Sequence, residues 1–180
     1  IRKAADHING LISRLTSIKE GLRINSVEGD LNELVAKTLQ GFGNGTAGGV
    51  EVVTELGDLP RLPFDPEQIK KVLTNLFLNA KEAVGGRGRI EVSTASRNGW
   101  AVVSVADNGC GMSPEFVDRC LFRPFQTTKK SGLGIGMFQS RMIVEAHRGR
   151  LEVESEQNKG TVFRVLLPLA RTGPGTASAT

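Results

Sequence analysis

The sequence lacks tyrosine altogether, and it contains one tryptophan and two cysteines among its 180 residues. It also lacks any apolar run that approaches the roughly 18 residues of a membrane-spanning helix. No signal-peptide pattern follows Ile1, the first residue. Because the chain starts with isoleucine rather than methionine, we expect it to be a piece of a longer protein, and we expect this piece to be cytoplasmic even if a membrane anchor precedes it.

Zinc-binding and nucleic-acid-binding proteins are disfavoured by the few cysteines and by the charge balance, respectively. Cys110 and Cys120 have neither CxxC spacing nor paired histidines nearby, which argues against a zinc site and fits a reducing compartment. Lysine and arginine total 23 against 19 acidic residues, a net charge of +4, and the signs are well mixed. Nucleic-acid binding usually needs a denser basic stripe, so we expect no nucleic-acid partner.

Glycine is in excess, with 22 residues, and its positions punctuate an alternation of helices and strands. The length suits one domain with a sizeable core. The hydrophobic pattern predicts an amphipathic helix over residues 1–20, a flexible turn over 41–49, a surface loop at Pro60 and Pro63, and a disordered tail after Arg171. Helices are predicted over 31–39, 66–84, 114–121 and 133–147, and strands over 50–56, 89–95, 100–106, 150–155 and 161–168. This order predicts a two-layer α/β sandwich with a mixed sheet.

The long predicted helix carries a polar stripe beside its apolar face. Asn75, Asn79 and Glu82 are spaced i, i+4 and i+7, which places them on one narrow face. Their side-chain oxygens can coordinate a hard cation. A solvated polar rim is the alternative interpretation of the same residues.

A second motif follows the strand that ends near Ala106. Asp107 can accept a hydrogen bond from an exocyclic amine, Gly109 and Gly111 allow a backbone that approaches a flat ring, and Met112 can form an apolar wall. An ordinary Asx-Gly turn is the alternative.

A third motif opens the helix before His147. Gly132, Gly134 and Gly136 would expose backbone N–H groups and the positive end of the helix dipole to a phosphate, while the preceding Thr127 and its neighbours Thr128 and Lys129 add hydroxyls and a charge. A flexible glycine loop is the alternative. The GxGxxG string at residues 43–48 follows a helix and precedes a strand, the wrong context for a dinucleotide site.

Taken in order, these motifs resemble the Bergerat ATP-binding fold of histidine kinases, gyrase, Hsp90 and MutL. In detail they resemble the catalytic ATP-binding domain of sensor histidine kinases of the nitrogen-sensor-like group. The matching segments are residues 75–84 (N box), 107–111 (G1 box), 121–129 (F box), 132–134 (G2 box) and 160–168 (closing strand).

The resemblance implies a Bergerat fold, with a mixed, mostly antiparallel sheet covered by three helices and preceded by one N-terminal helix. It implies ATP and Mg²⁺ as cofactors, Asn79 as metal ligand, and Asn75 and Lys129 as catalytic residues. Asn75 stands where the gyrase, Hsp90 and MutL branch has a glutamate that serves as general base, and a carboxamide cannot take that proton. The implied nucleotide contacts are Asn75, Asn79, Glu82, Asp107, Gly109, Gly111, Met112, Thr127, Thr128, Lys129, Gly132, Leu133, Gly134, Gly136 and Thr161.

Three residues depart from the family pattern. Glu82 stands where many kinases have a basic residue, although Lys81 is its neighbour; Lys130 replaces a glycine; and Gly136 replaces a small alanine or serine. His7 is followed by Ile8 rather than an acidic residue, so the phosphoacceptor histidine is expected upstream.

The resemblance also implies a domain division and partners. Residues 1–21 would end a dimerisation helix, 22–170 would form the catalytic domain, and 171–180 would be a tail. The expected partners are ATP or ADP, the protein's own phosphoacceptor helix domain, a response regulator receiver domain and a second copy of the full-length protein. The alternatives are a Bergerat-fold ATPase or protein-serine kinase of the anti-sigma-factor type, and a non-catalytic docking module.

Overall fold

The computed structural model describes residues 23–42, 49–127 and 134–169. Three predicted segments lie outside the described residues. They are the helix over 1–20, which contains His7, the GxGxxG string at 43–48, and the tail after Arg171. The described strands are β1 (Val27–Gly29), β2 (Val50–Leu56), β3 (Leu62–Phe64), β4 (Gly88–Arg97), β5 (Trp100–Asp107), β6 (Arg150–Glu156) and β7 (Gly160–Pro168), and the helices are α1 (Leu31–Gln40), α2 (Pro66–Val84), α3 (Pro114–Arg119) and α4 (Gly136–Ala146).

Five strands form one mixed sheet in the order β2-β4-β5-β7-β6, and β1 and β3 form a separate two-stranded sheet. Only β2 and β4 are parallel within the five-stranded sheet; every other pair is antiparallel. The parallel pair is possible because β3 and the long α2 lie between β2 and β4, which gives the chain enough length for a crossover. The predicted α/β sandwich with a mixed, mostly antiparallel sheet is confirmed.

One face of the sheet is buried and the other is not, which explains the alternating sequence pattern of the strands. Inward-facing residues of β5, such as Val103 and Val105, are at most 1% exposed, as is Val165 of β7. Val102 lies on the opposite face and is only half-buried. The helices therefore cover one face of the sheet.

Helix α2 has the bounds that its sequence predicts because both ends carry strong local signals. The Asp65 side chain caps the first turn by accepting from the backbone N–H of Gln68, and Pro66 occupies the first turn. Gly85 ends the helix in the left-handed region, at φ +60°. The buried face of α2 consists of Ile69, Val72, Leu73, Leu76, Phe77, Ala80 and Val84.

Other elements differ from the prediction, and β4 for example extends two residues further at its end, to Arg97. The segment with Pro63 contains β3, whose Leu62 and Phe64 are buried, so it is not a plain surface loop. Helix α4 begins at Gly136 rather than at residue 133, because Gly134 has φ +65° and cannot belong to a right-handed helix. Helix α3 ends at Arg119, two residues earlier than predicted.

Candidate functional site

The two carboxamides predicted on α2 face the first turns of α4. The Asn75 Nδ2 group donates to the Ser140 hydroxyl at 3.0 Å and to Met137 Sδ at 3.3 Å. The Asn79 Nδ2 group donates to the same sulfur at 3.1 Å. Both amide nitrogens are thus engaged on α4, which orients the carboxamide planes, and the oxygens are the atoms that a hard cation would need.

Gly136 lies where α4 approaches α2 most closely at this site. A Cβ added there would be 2.5 Å from Asn75 Oδ1, so glycine leaves room for the carboxamide. The prediction used Gly136 only as a phosphate-facing glycine of low helix propensity. The structure gives it a further role, since it permits the contact between the two helices.

Asp107 lies at the end of β5, half-buried, and its Oδ1 accepts from the backbone N–H of Gly109 at 2.9 Å. Burial raises the pKa of this carboxyl above its ordinary value, although the backbone N–H groups of Gly109 and Thr161 act in the opposite direction. A carboxylate kept partly from water gains most from a new hydrogen-bond donor. This position suits an acceptor for a ligand amine.

The loop after Asp107 packs directly on the last turn of α2. A Cβ at Gly109 would lie 2.4 Å from the carbonyl carbon of Ala83, and the backbone N–H of Cys110 donates to the Ala83 carbonyl at 3.1 Å. Ala83 is half-buried against this loop. The contact joins the second predicted motif to the first.

The other side of the same loop is held by the β6–β7 hairpin. Gly111 has φ +61°, and a Cβ there would lie 2.0 Å from the carbonyl oxygen of Glu156. The backbone N–H of Asn158 donates to the Cys110 carbonyl at 2.7 Å. Glycine at 109 and 111 is therefore required by backbone packing before any ligand is considered, whereas the sequence motif suggested only the approach of a ring.

Two hydroxyl groups link the backbone of Met112 to β6 and β7. The Met112 backbone N–H donates to Ser155 Oγ at 2.8 Å, and Ser155 Oγ lies 2.8 Å from the Thr161 hydroxyl. Thr161 is 5% exposed and lies opposite Asp107 in the β5–β7 register. Thr161 is thus a neighbour of the Asp107 loop, and its contact with a nucleotide stays a prediction.

The third motif is described only at its two ends, which meet. The Phe125 N–H donates to the Gly134 carbonyl at 3.0 Å, and a Cβ at Gly134 would lie 2.7 Å from the Gln126 nitrogen. Phe125 itself has φ +64°, which is uncommon for a residue with a side chain. Thr127 is exposed beside this junction. The predicted contacts Thr128, Lys129, Gly132 and Leu133 lie outside the described residues, as does Lys130.

Four residues that take part in this arrangement were missed by sequence reasoning: Met137, Ser140, Ser155 and Asn158. Ser140 is 2% exposed, and a buried serine in an apolar helix stretch is the one signal that could have singled it out. The other three have no distinguishing sequence context.

Glu82 is exposed near the end of α2, next to the exposed Lys81. Within residues 23–42, 49–127 and 134–169, no three His, Cys, Asp or Glu side chains cluster in a way that could hold a metal ion. No helix of the described part is long and apolar enough to span a membrane.

Comparison with known proteins gives consistent matches. The family of histidine kinase-, DNA gyrase B-, and HSP90-like ATPases matches residues 64–171. The sensor histidine kinase ZraS of Escherichia coli (strain K12) is 36% identical over 171 residues, which cover 93% of this chain and 36% of ZraS. The chain thus spans about a third of the length of such curated relatives.

Solved structures agree with the sequence matches. The nucleotide-free catalytic domain of histidine kinase ThkA superposes with a TM-score of 0.73 at 30% identity, over 81% of this chain and 98% of that domain. ThkA in complex with the response regulator protein TrrA matches with a TM-score of 0.70 at 28% identity, over 93% of this chain and 51% of that one.

Proposed function

Because the chain belongs to the histidine kinase-, DNA gyrase B-, and HSP90-like ATPase family and carries the catalytic ATP-binding domain of a two-component sensor histidine kinase, we propose that it binds ATP with Mg²⁺ and transfers the γ-phosphate to a histidine that lies upstream of Ile1 in the longer protein. One observation carries this proposal. The Asp107 loop is tied to the last turn of α2 through the Cys110–Ala83 hydrogen bond of 3.1 Å, so an adenine acceptor and the polar face of α2 belong to one rigid unit.

Asp107 is proposed to accept a hydrogen bond from the adenine amino group. Its half-buried position favours this role, because a ligand donor would offset part of the desolvation that raises its pKa. Gly109, Gly111 and Met112 would shape the walls beside the ring, and Thr161 would support the base of the pocket.

Asn79 is proposed as the protein's ligand to Mg²⁺, with Asn75 supporting it. Their side chains fit a hard cation because each carboxamide is oriented through its nitrogen on Met137, and oxygen is the preferred ligand atom. When bound, the ion would neutralise charge on the phosphate oxygens. Asn75 has no basic lone pair with which to deprotonate water, which favours transfer to a protein acceptor over hydrolysis.

The segment between Phe125 and Gly136 is proposed to hold the phosphates. Thr127, Thr128 and Lys129 would supply two hydroxyls and a positive charge, and the backbone of Gly132, Leu133, Gly134 and Gly136 would supply N–H groups. The junction of Phe125 with Gly134 supports this idea, since it returns both ends of the segment to the start of α4. Catalysis would consist mainly of positioning and charge stabilisation, with Asn75 and Lys129 contributing most directly.

The longer protein is proposed to be a dimeric sensor whose phosphoacceptor helices precede this domain. Residues 1–21 would end the second dimerisation helix, 22–170 would form the catalytic domain and 171–180 a tail. ThkA has been captured with a response regulator, and a receiver domain of that kind is the proposed next acceptor. We place this part of the protein in the cytoplasm, where ATP is available.

Calorimetric titration with Mg-ADP tests the site. We expect Asp107→Asn to weaken binding by about 100-fold or more. The charge-assisted hydrogen bond is lost, and the asparagine amide would face the adenine amino group, itself a donor, with its own N–H donors. Asp58→Asn, at an exposed carboxylate outside the site, is the matched control and should bind normally. Unchanged affinity in Asp107→Asn would refute the adenine assignment.

A further inference from the structure

The first described residues run alongside the start of the helix that carries Asn75 and Asn79. Strand β1 pairs antiparallel with β3, and Val27 lies opposite Phe64, the residue immediately before Asp65. The chain that enters the domain therefore arrives at the N-terminus of α2, and the side chain found there is Asp65, which is 6% exposed.

Asp65 uses its two carboxylate oxygens for two different segments. Oδ1 accepts from the backbone N–H of Gln68 at 3.1 Å and caps α2. Oδ2 accepts from the backbone N–H of Asn25 at 2.8 Å, a residue 40 positions earlier in the chain. Burial alone would raise the pKa of this carboxyl, but the backbone donors of Asn25, Gln68 and Glu67 outweigh burial and leave the pKa below its ordinary value.

The backbone of the same residue is joined to the end of α4. The Asp65 N–H donates to His147 Nε2 at 3.0 Å, and His147 Nδ1 lies 2.7 Å from the Ile143 carbonyl oxygen. In this pair of contacts Nε2 is the acceptor and Nδ1 is the donor. His147 thus has a structural role at the end of α4, where it joins that helix to the N-terminus of α2.

A helix cap alone does not account for this arrangement. A cap needs one acceptor oxygen, and serine, threonine or asparagine would supply it. The second oxygen of Asp65 instead bonds to the entering chain, and its backbone N–H bonds to the end of α4. The first turns of α4 in turn contact Asn75 and Asn79 through Met137. One buried residue thus joins the entering chain to both helices that frame the proposed phosphate site.

We propose that Asp65 is a positioning residue for phosphotransfer: it fixes the entering segment at Asn25 to α2, so that the direction of the upstream phosphoacceptor helix is set relative to the γ-phosphate. This proposal rests on the proposed function. A tether that fixes the orientation of the domain raises the fraction of time in which the γ-phosphate and the acceptor histidine are aligned. It does not touch the nucleotide, so it should affect turnover without affecting nucleotide affinity.

The variants separate the tether from the cap. Asp65→Asn retains one carboxamide oxygen, which we expect to stay on the Gln68 N–H at the cap, so that the amide nitrogen faces the Asn25 N–H and the tether is lost. Asn25→Pro removes the donating N–H while it leaves Asp65 intact. Asn25→Ala is the matched control, because the bond comes from the backbone and the alanine retains it.

The first of three measurements is the affinity of the unmodified chain for Mg-ADP. If the unmodified chain does not bind Mg-ADP, the proposed function is refuted rather than the tether. We expect both Asp65→Asn and Asn25→Pro to keep the Mg-ADP Kd within twofold. In Asp65→Asn the hydrogen exchange of the Asn25 amide should accelerate more than tenfold. In the full-length protein both variants should lower kcat for autophosphorylation at least fivefold, with KM for ATP within twofold, and Asn25→Ala should match the unmodified protein throughout.

Two results would overturn the proposal. Unchanged kcat in both variants, with the Asn25 amide shown to be released in Asp65→Asn, would mean that the bond holds the chain without serving transfer. A weakened Mg-ADP Kd in both variants would mean that Asp65 acts through the integrity of the nucleotide site.

Discussion

At the scale of single residues, the surroundings of a glycine decide its importance more than its backbone angle does. Gly85 and Gly111 have nearly the same φ, +60° and +61°. A Cβ at Gly85 would meet nothing within 4 Å, whereas one at Gly111 would meet the Glu156 carbonyl oxygen at 2.0 Å. The first glycine ends a helix in open space, and the second allows a hairpin to close on the Asp107 loop.

This pair gives a matched stability prediction. Gly85→Ala should lower the free energy of unfolding by about 1 kcal/mol, the cost of left-handed backbone for an L-residue. Gly111→Ala should lower it by about 3 kcal/mol or more, because overpacking adds to the same backbone cost. Urea unfolding measures both. Equal losses would show that the loop yields to the added methyl group.

At the scale of secondary-structure elements, the contact between α2 and α4 organises the polar stripe. Asn75 and Asn79 are one turn apart on α2 and share Met137 as an acceptor, while Ser140, one turn further along α4, accepts from Asn75 alone. The position of α4 thus sets the direction of both carboxamides. Nucleotide affinity should therefore depend on residues of α4 that do not face the ligand.

Ser140→Ala tests this dependence. Loss of the buried hydroxyl should reduce the free energy of unfolding by about 1 kcal/mol and weaken Mg-ATP binding several-fold, because the Asn75 amide loses its oxygen acceptor. Thr38→Val is the control, since it removes a buried hydroxyl that bonds only within α1, and it should reduce stability without affecting affinity. Calorimetry and urea unfolding provide the two readouts, and unaltered binding by Ser140→Ala would contradict the argument.

At the scale of the whole molecule, two carboxyl groups at opposite ends of α2 respond to pH in opposite directions. The pKa of Asp65 is lowered by backbone donors that outweigh its burial, so its ionised form stabilises the fold. The pKa of Asp107 is raised by burial, so its ionised form costs stability. The domain thus retains a destabilising charge at the proposed adenine site and a stabilising one at the entry of the chain.

The sign of each pKa shift predicts how the variants unfold with pH. The stability that Asp65 supplies is present above its ordinary pKa and is lost as the pH falls through its lowered pKa, so the deficit of Asp65→Asn should shrink in acid. The cost of Asp107 applies above its raised pKa and vanishes below its ordinary value. Ligand-free Asp107→Asn should therefore have a Tm at neutral pH no lower than that of the unmodified chain.

Thermal unfolding followed by circular dichroism between pH 2 and pH 7 compares each variant with the unmodified chain. A Tm of Asp107→Asn several degrees below the unmodified value at neutral pH would contradict the raised pKa. A deficit of Asp65→Asn that stays constant down to pH 2 would contradict the lowered one.

Local sequence determined the elements whose signals lie within one turn or one strand. Helix α2 has its predicted bounds because its cap, first-turn proline and terminal glycine act on adjacent backbone. Strand β2 also has its predicted bounds, Val50–Leu56. The order of the glycine and asparagine motifs likewise identified the family before any contact was known.

Only the tertiary structure decided which groups meet across long separations. The bonds of Asp65 to Asn25 and His147 span 40 and 82 residues, and the close approach of Gly111 to Glu156 depends on how β6 and β7 join the sheet. Periodicity encodes which face of an element is buried, because side-chain direction repeats with the local backbone. It does not encode which surface that face will meet, because this depends on the path of the whole chain.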